Sequence, residues 1–101
     1  MSYTSKEVEE LTGASYRQLD HWVRRNWVRP IYNGRGKGHD REWPRDELFV
    51  ARFMVRLTQV GIAASQAAKV ARALVPKQQE LTEGRFVNVR VGDGVWIRVT
   101  Q

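Results

Sequence analysis

Two helix-start motifs with a glycine between them constrain the fold of this chain more than any other feature. One opens the stretch from Gly13 to Trp43, where Ser15 and Gln18 have the S-x-x-Q spacing of a capping box. An earlier motif of the same form consists of Thr4 and Glu7, and residues 1–12 are predicted to form a short helix. Two short helices joined by a tight glycine turn are therefore predicted, which is the arrangement of a helix-turn-helix.

The second predicted helix has one apolar stripe and one polar face. Leu19, Trp22 and Val23 follow the i, i+3, i+4 spacing of residues that share a buried stripe. Flat, forked and cationic side chains remain on the other face, and these suit phosphates and base edges. That outer face carries Tyr16, Arg17, Asp20, His21, Arg24 and Arg25. Taken alone, the same pattern also fits a solvated amphipathic helix.

The positive charge is concentrated around this helix. The net charge is +6, and residues 13–45 hold eight Lys and Arg against three Asp and Glu. A basic block on one segment of a small domain is typical of nucleic-acid binding. No stretch is long and uncharged enough to span or anchor in a membrane, so a membrane-surface protein is disfavoured.

Cysteine and histidine usage narrows the chemistry. The chain has no cysteine, so we expect no disulfide and no thiolate metal site, as in a cytoplasmic protein. Secretion is not expected either, because the first residues do not have the pattern of a signal peptide. His21 and His39 lie on a predicted helix and in a predicted loop, without the carboxylate spacing of a zinc or acid–base site. We therefore expect no metal, no cofactor and no enzymatic activity.

A strand pair with a basic tip is predicted after the second helix. Residues 27–32 are expected to be extended, because Pro30 blocks a helix and its neighbours favour strands. Residues 33–40 form a loop with three glycines, and residues 41–43 return as a second strand. This wing could follow a phosphate backbone, although a flexible surface loop is the alternative. The candidate wing contacts are Arg35, Lys37, His39 and Arg41.

The remainder of the chain divides into helices and a terminal hairpin. Apolar residues at helical spacing predict one helix from Pro44 to Gln59 and another from Ala63 to Leu74. The predicted fold is mainly α with small β, a winged helix-turn-helix of four helices followed by a C-terminal β-hairpin. Its predicted divisions are a domain over residues 1–76, a polar linker over residues 77–84 and the hairpin over residues 85–101.

The predicted hairpin has an apolar face that must be covered. A three-residue turn at Gly92-Asp93-Gly94 would pair Val91 with Val95 and align six β-branched residues. An isolated hairpin is marginally stable, so helices of the same domain or another subunit must cover this face. We predict self-association, through the valine faces or through unpaired strand edges. The candidate residues are Val87, Val89, Val91, Val95, Trp96, Ile97 and Val99.

These motifs together resemble the DNA-binding domain of MerR-type regulators, a winged helix-turn-helix. The resemblance starts at Tyr3-Thr4 and covers about three quarters of the chain. It is carried by L-T-G-A-S at residues 11–15, R-Q-L-D-H-W at 17–22, V-R-P at 28–30, D-E-L at 46–48 and L-T-Q-V-G-I at 57–62. Members of this family continue into a long dimerisation helix and an effector domain. Pro76 arrives too early for that helix, so we expect neither feature here.

The resemblance implies a role for particular residues. Ser15, Tyr16, Arg17 and Gln18 are expected to enter the major groove. His21 stands where the family often has a tyrosine that contacts phosphate. The full predicted recognition set is Ser15, Tyr16, Arg17, Gln18, His21, Arg24 and Arg25.

Three functions remain open from the sequence. The leading one is a sequence-specific regulator of transcription that binds double-stranded DNA as a dimer or head-to-tail array, with RNA polymerase as a further partner. An excisionase-like factor that bends a recombination site and recruits an integrase would use the same groove contacts. A protein-interaction adaptor is the third, with the aromatic and arginine residues of the hairpin as its docking surface.

Overall fold

The computed structural model describes residues 2–32 and 41–100 of the chain. Within these ranges the helices are α1 (Ser5–Thr12), α2 (Tyr16–Arg24), α3 (Arg45–Gln59), α4 (Ala64–Leu74) and α5 (Gln78–Thr82). The strands are β1 (Ser2–Thr4), β2 (Ile31–Tyr32), β3 (Arg41–Pro44), β4 (Val87–Gly92) and β5 (Val95–Val99), and a 3-10 turn spans Val75–Lys77. None of these helices is long and apolar enough to cross a membrane.

Both predicted capping boxes are formed. The hydroxyl of Thr4 accepts a hydrogen bond from the amide of Glu7 at 3.1 Å, and the Glu7 carboxylate accepts one from the Thr4 amide at 2.9 Å. Ser15 and Gln18 make the same reciprocal pair at 3.1 and 3.0 Å. Gly13 ends α1 with φ of +81°, a conformation that glycine adopts without steric cost. The predicted helix-turn-helix is therefore confirmed.

A three-stranded sheet packs beside the two short helices, in the order β1-β3-β2. Tyr3 of β1 pairs with Trp43 of β3, and Ile31 of β2 pairs with Glu42. The first strand corrects the sequence analysis, which predicted one helix over residues 1–12. Local capping signals locate the start of a helix, but the strand exists because β3, much later in the chain, offers a free edge.

The core forms where α2, α3, α4 and this sheet meet. Trp22 and Trp43 are 3% and 0% exposed, and the first of these values confirms the predicted burial of Trp22. The Trp43 indole donates a hydrogen bond to the Ser5 hydroxyl at 3.0 Å, so its polar edge is also satisfied. Small side chains let α4 lie close to α3, and Ala67 and Ala71 are completely buried.

The structure corrects the prediction that residues 77–84 form a polar linker. Val75–Lys77 and α5 continue directly from α4, and Leu81 of α5 is completely buried. One leucine in a polar segment carries almost no periodic signal. Its burial depends on the surface that the rest of the core presents to it.

The C-terminal hairpin folds back onto α4, which was one of the two arrangements left open by the sequence. Val89 and Val99 belong to the core, and Val87, Val91 and Ile97 pack partly against it. The side-chain amide of Gln66 on α4 donates to the carbonyl of Val91 at 3.2 Å. Most of the valine face is therefore covered by its own domain, whereas Val95 remains 53% exposed. Self-association of the hairpin stays a prediction.

The register of the hairpin differs from the prediction at its turn. Val87 pairs with Val99 and Val89 with Ile97 as expected, but a bulge between Arg90 and Gly92 places Gly92 opposite Val95. Gly94 adopts φ of +71°, so Asp93-Gly94 closes the turn and the extra residue, Val91, forms the bulge.

Candidate nucleic-acid interface

The outer face of α2 carries the residues predicted to recognise DNA. Leu19 and Trp22 point into the core, which confirms the predicted orientation of this helix. The side opposite them is open to solvent except at Asp20, which is half-buried. The exposed residues are Ser15, Tyr16, Arg17, Gln18, His21, Arg24 and Arg25.

The first turn of α2 combines two free side chains with two that are partly engaged. Arg17 has no ion pair or hydrogen bond to the described part of the chain, and the Tyr16 side chain is about half exposed. Ser15 and Gln18 close the capping box, with the Gln18 side-chain oxygen on the Ser15 amide. The side-chain amide nitrogen of Gln18 can still donate a hydrogen bond to DNA. A helix N-terminus beside a cation attracts anions, so this turn suits phosphates or base acceptors.

Asp20 holds two arginines at the centre of the helix. One carboxylate oxygen accepts a hydrogen bond from Arg41 Nη2 at 2.7 Å, and the other lies 3.1 Å from Arg24 Nε. The hydrogen bond from Arg41, with the neighbouring positive charges, lowers the pKa of Asp20 below its ordinary value of 3.8, against the effect of burial. The Arg24 side chain remains 77% exposed, so this surface pair leaves its guanidinium accessible.

Arg41 was predicted as a wing contact, and the structure corrects this. Its side chain is only 7% exposed, because it lies between α2 and the strand pair and bonds to Asp20. Its guanidinium carbon is 5.9 Å from the centre of the Tyr32 ring. Burial lowers the pKa of Arg41, but hydrogen bonds with Asp20 and Tyr32 outweigh it and raise the pKa above its ordinary value. Arg41 therefore joins two elements and does not face solvent.

An aromatic cluster covers the C-terminal end of α2. Asn26 adopts φ of +60°, and the amide of Trp27 donates back to the carbonyl of Trp22 at 2.9 Å, as in a Schellman motif. This turn brings the Trp27 ring against two cation-forming side chains. The Arg25 guanidinium carbon lies 5.3 Å from the ring centre, and the His21 ring meets it edge-on at 5.8 Å.

A buried carboxylate attaches the segment after α2 to the rest of the domain. Glu47 on α3 accepts a hydrogen bond from the Arg29 amide at 2.7 Å and pairs with Arg72 on α4 at 2.6 Å. Arg72 also donates to the Trp27 carbonyl at 2.9 Å. The hydrogen bonds to Glu47 raise the pKa of Arg72. The sequence analysis missed this network because its members lie on three separate elements, with no spacing signal between them.

An open cleft of about 440 Å³ lies beside Trp27. Its lining includes Arg29 after α2 and Lys69 on α4, and both of these residues are exposed. The cleft therefore continues the basic surface of α2 past Trp27. Arg29 and Lys69 are far apart in the chain, and only the packing of α4 brings the two to one surface.

The proposed wing is described only at its base. β2 and β3 pair antiparallel, and Ile31 and Tyr32 present side chains that are more than half exposed. The candidate contacts Arg35, Lys37 and His39 lie outside the described residues. In the parts of the chain that are described, no three His, Cys, Asp or Glu side chains are grouped to hold a metal ion.

Comparison with known proteins adds the family. No curated protein matches the chain. The MerR HTH family of regulatory proteins matches residues 3–74, a segment that begins in β1 and ends at the last residue of α4. It includes α2 and Glu47, whereas α5 and the hairpin lie beyond it. The chain therefore belongs to the MerR HTH family, and residues 3–74 are a MerR-type helix-turn-helix DNA-binding domain.

Proposed function

We propose that this protein is a sequence-specific transcription regulator that reads the major groove of double-stranded DNA with the outer face of α2. The observation that carries the proposal is the exposed first turn of that helix. Tyr16 and Arg17 project from it, and Arg17 has no partner in the described parts of the chain. The N-terminal residues of a recognition helix are those that reach base edges.

The rigid attachment of α2 supports this proposal. Leu19 and Trp22 pack into the core on one side, and Asp20 bonds to Arg41 of β3. The segment beyond the helix is held by the hydrogen bond from Arg72 to the Trp27 carbonyl. A helix fixed along its length presents its outer side chains in one geometry, so little ordering remains to be done on binding.

Contacts to phosphates would flank the base-reading turn. His21, Arg24 and Arg25 continue along the exposed face of α2, and the basic cleft beyond Trp27 adds Arg29 and Lys69. Residues 33–40 add Arg35, Lys37 and His39 to the set of proposed contacts. Phosphate contacts set affinity and register, whereas the sequence is read at base edges.

Selection of bound duplexes from a random library tests the proposal. We expect an enriched motif and an affinity that falls linearly with salt on logarithmic axes, by about 0.9 units of slope per phosphate contact. Enrichment without any motif would contradict sequence-specific reading. Tight binding to a protein, with no duplex binding at low salt, would identify the domain as an adaptor instead.

An excisionase-like architectural factor is a second candidate. It is favoured by the 3-10 turn at Val75–Lys77, which follows α4 where the resemblance to MerR-type regulators would lead to a long dimerisation helix. Such a factor bends DNA and recruits an integrase, whereas a regulator acts on RNA polymerase. Bending of the selected duplex, measured by energy transfer between its ends, together with integrase recruitment, would support the second candidate. A straight duplex would support the first.

A further inference from the structure

The outer edge of β5 is open in the monomer. Among the described residues, β5 pairs with β4 alone. A groove of about 360 Å³ runs between β5 and the C-terminal end of α3. It is lined by Phe53, Arg56, Leu57, Val60, Ile62 and residues 97–100, without any residue of β4. The groove therefore lies on the side of β5 that has no strand neighbour.

Two of the features that usually protect a strand edge from pairing are missing from β5. β5 contains neither proline nor a bulge, whereas the bulge of the hairpin is in β4. Large apolar groups are exposed next to it: Val95 is 53%, Trp96 60% and Val60 75% exposed. An open edge beside exposed apolar groups is a template for another strand.

The sequence of β5 is complementary to itself in one antiparallel register. With Ile97 opposite Ile97 of a second copy, Trp96 faces Arg98 of that copy and Val95 faces Val99, each twice by symmetry. A register centred on Arg98 would instead place two guanidinium groups opposite each other. In the monomer, Arg98 already stacks on an aromatic ring, with its guanidinium carbon 4.1 Å from the centre of Phe86.

We propose that β5 forms a symmetric homodimer by pairing with β5 of a second copy in the register centred on Ile97. The two hairpins then make one four-stranded sheet. The inward-facing side chains of each added strand cover the apolar groove beside the other strand. This interface leaves α2 free and lies outside the segment that matches the MerR HTH family. Two α2 helices related by a two-fold axis would favour an inverted repeat in the DNA.

Cysteine cross-linking tests the register directly, since the chain has no cysteine of its own. Equal amounts of Trp96→Cys and Arg98→Cys variants are mixed under mild oxidation. We expect a disulfide-linked heterodimer in the mixture and little cross-linking of either variant alone. Asn88→Cys and Arg90→Cys are matched controls. These two residues are on β4, where Asn88 pairs with Arg98 and Arg90 with Trp96, and their side chains point to the same face of the hairpin. Their mixture should stay uncross-linked.

Sedimentation without DNA supplies the second measurement. The full chain should reach twice its mass of 11.7 kDa at micromolar concentrations, and Val95→Lys should shift it toward the monomer. The double variant Trp96→Arg, Arg98→Trp should remain dimeric. Position 96 still faces position 98 of the second copy in the proposed register, so an aromatic ring still pairs with a cation.

A monomeric full chain, or equal cross-linking in the control mixture, would overturn the proposal. Efficient cross-linking of either variant alone would overturn the register. Because the cysteines are at exposed positions and no DNA is present, these outcomes are independent of the proposed function.

Discussion

Asp20 of α2 and Arg41 of β3 are joined by a hydrogen bond of 2.7 Å between Oδ1 and Nη2, across 21 residues of sequence. Arg41 is the first residue of β3, so this contact attaches the helix to the strand pair on either side of residues 33–40. The helix and the base of the proposed wing are thereby held in one spatial relationship.

Replacing Asp20 with asparagine should lower the melting temperature at pH 7. Because the pKa of Asp20 is lowered in the folded protein, its stabilising contribution is present above pH 3.8. That contribution disappears as the pH falls through the folded-state pKa. The difference between the variant and the original chain should therefore shrink in acid. Thermal unfolding followed by circular dichroism at several pH values measures this.

The matched control is Asp93→Asn, which removes the acid of an exposed pair with Arg90 and should change little. A difference for Asp20→Asn that stays constant from pH 7 into strong acid would show that the amide is harmful for another reason.

Arg17→Ala should reduce affinity for the selected duplex by about 1–3 kcal/mol, because alanine cannot make a bidentate pair of hydrogen bonds to a guanine edge. Binding to a scrambled duplex should change much less. Lys69→Ala is the comparison, since Lys69 lies on α4 beside the basic cleft and should weaken both duplexes alike. If Arg17→Ala weakens the two duplexes equally, Arg17 binds phosphate and does not read a base.

Replacing Arg35 and Lys37 together by alanine should weaken binding to all duplexes similarly. The slope of affinity against salt should fall by about one unit for every phosphate that these two side chains neutralise in the original chain. Titrations at several salt concentrations give the slope for each duplex. If the slope of the double variant equals that of the original chain, Arg35 and Lys37 bind no phosphate in solution.

Arg72→Ala should destabilise the fold by about 1–3 kcal/mol, because the buried Glu47 carboxylate and the Trp27 carbonyl are both deprived of a donor. Urea unfolding measures the change in stability. Arg52→Ala is the matched control, as Arg52 is exposed on α3 and its replacement should stay within about 0.5 kcal/mol. Equal stability of the two variants would contradict a structural role for the network.

Leu81→Ala should destabilise the protein by about 2–5 kcal/mol, as expected for a completely buried leucine. Phe86→Ala, at an exposed position shortly before β4, should cost far less.

Truncation after Pro76 removes Leu81 together with the core residues Val89 and Val99, so it should destabilise more than either substitution. If the truncated chain has the same midpoint urea concentration of unfolding as the full chain, residues 77–84 act as a linker.

Residues that are close together in the sequence determined much of the helical structure of this protein. Both capping boxes combine residues three positions apart, so the starts of α1 and α2 could be predicted from the sequence. Helical periodicity also predicted that Leu19 and Trp22 are buried and that Arg17 is exposed. These features depend on neighbours within one helical turn, and the chain itself brings such neighbours together.

Tertiary structure decided the pairings that no local spacing encodes. Arg41 was predicted as a wing contact and Arg72 had no predicted role, yet each is bound by a carboxylate on a distant element, 21 and 25 residues away. The same holds for β1, which exists through its pairing with β3, and for Leu81, which the core buries. A charged or isolated apolar side chain has several suitable partners along a chain, and only the packing of distant elements selects one of them.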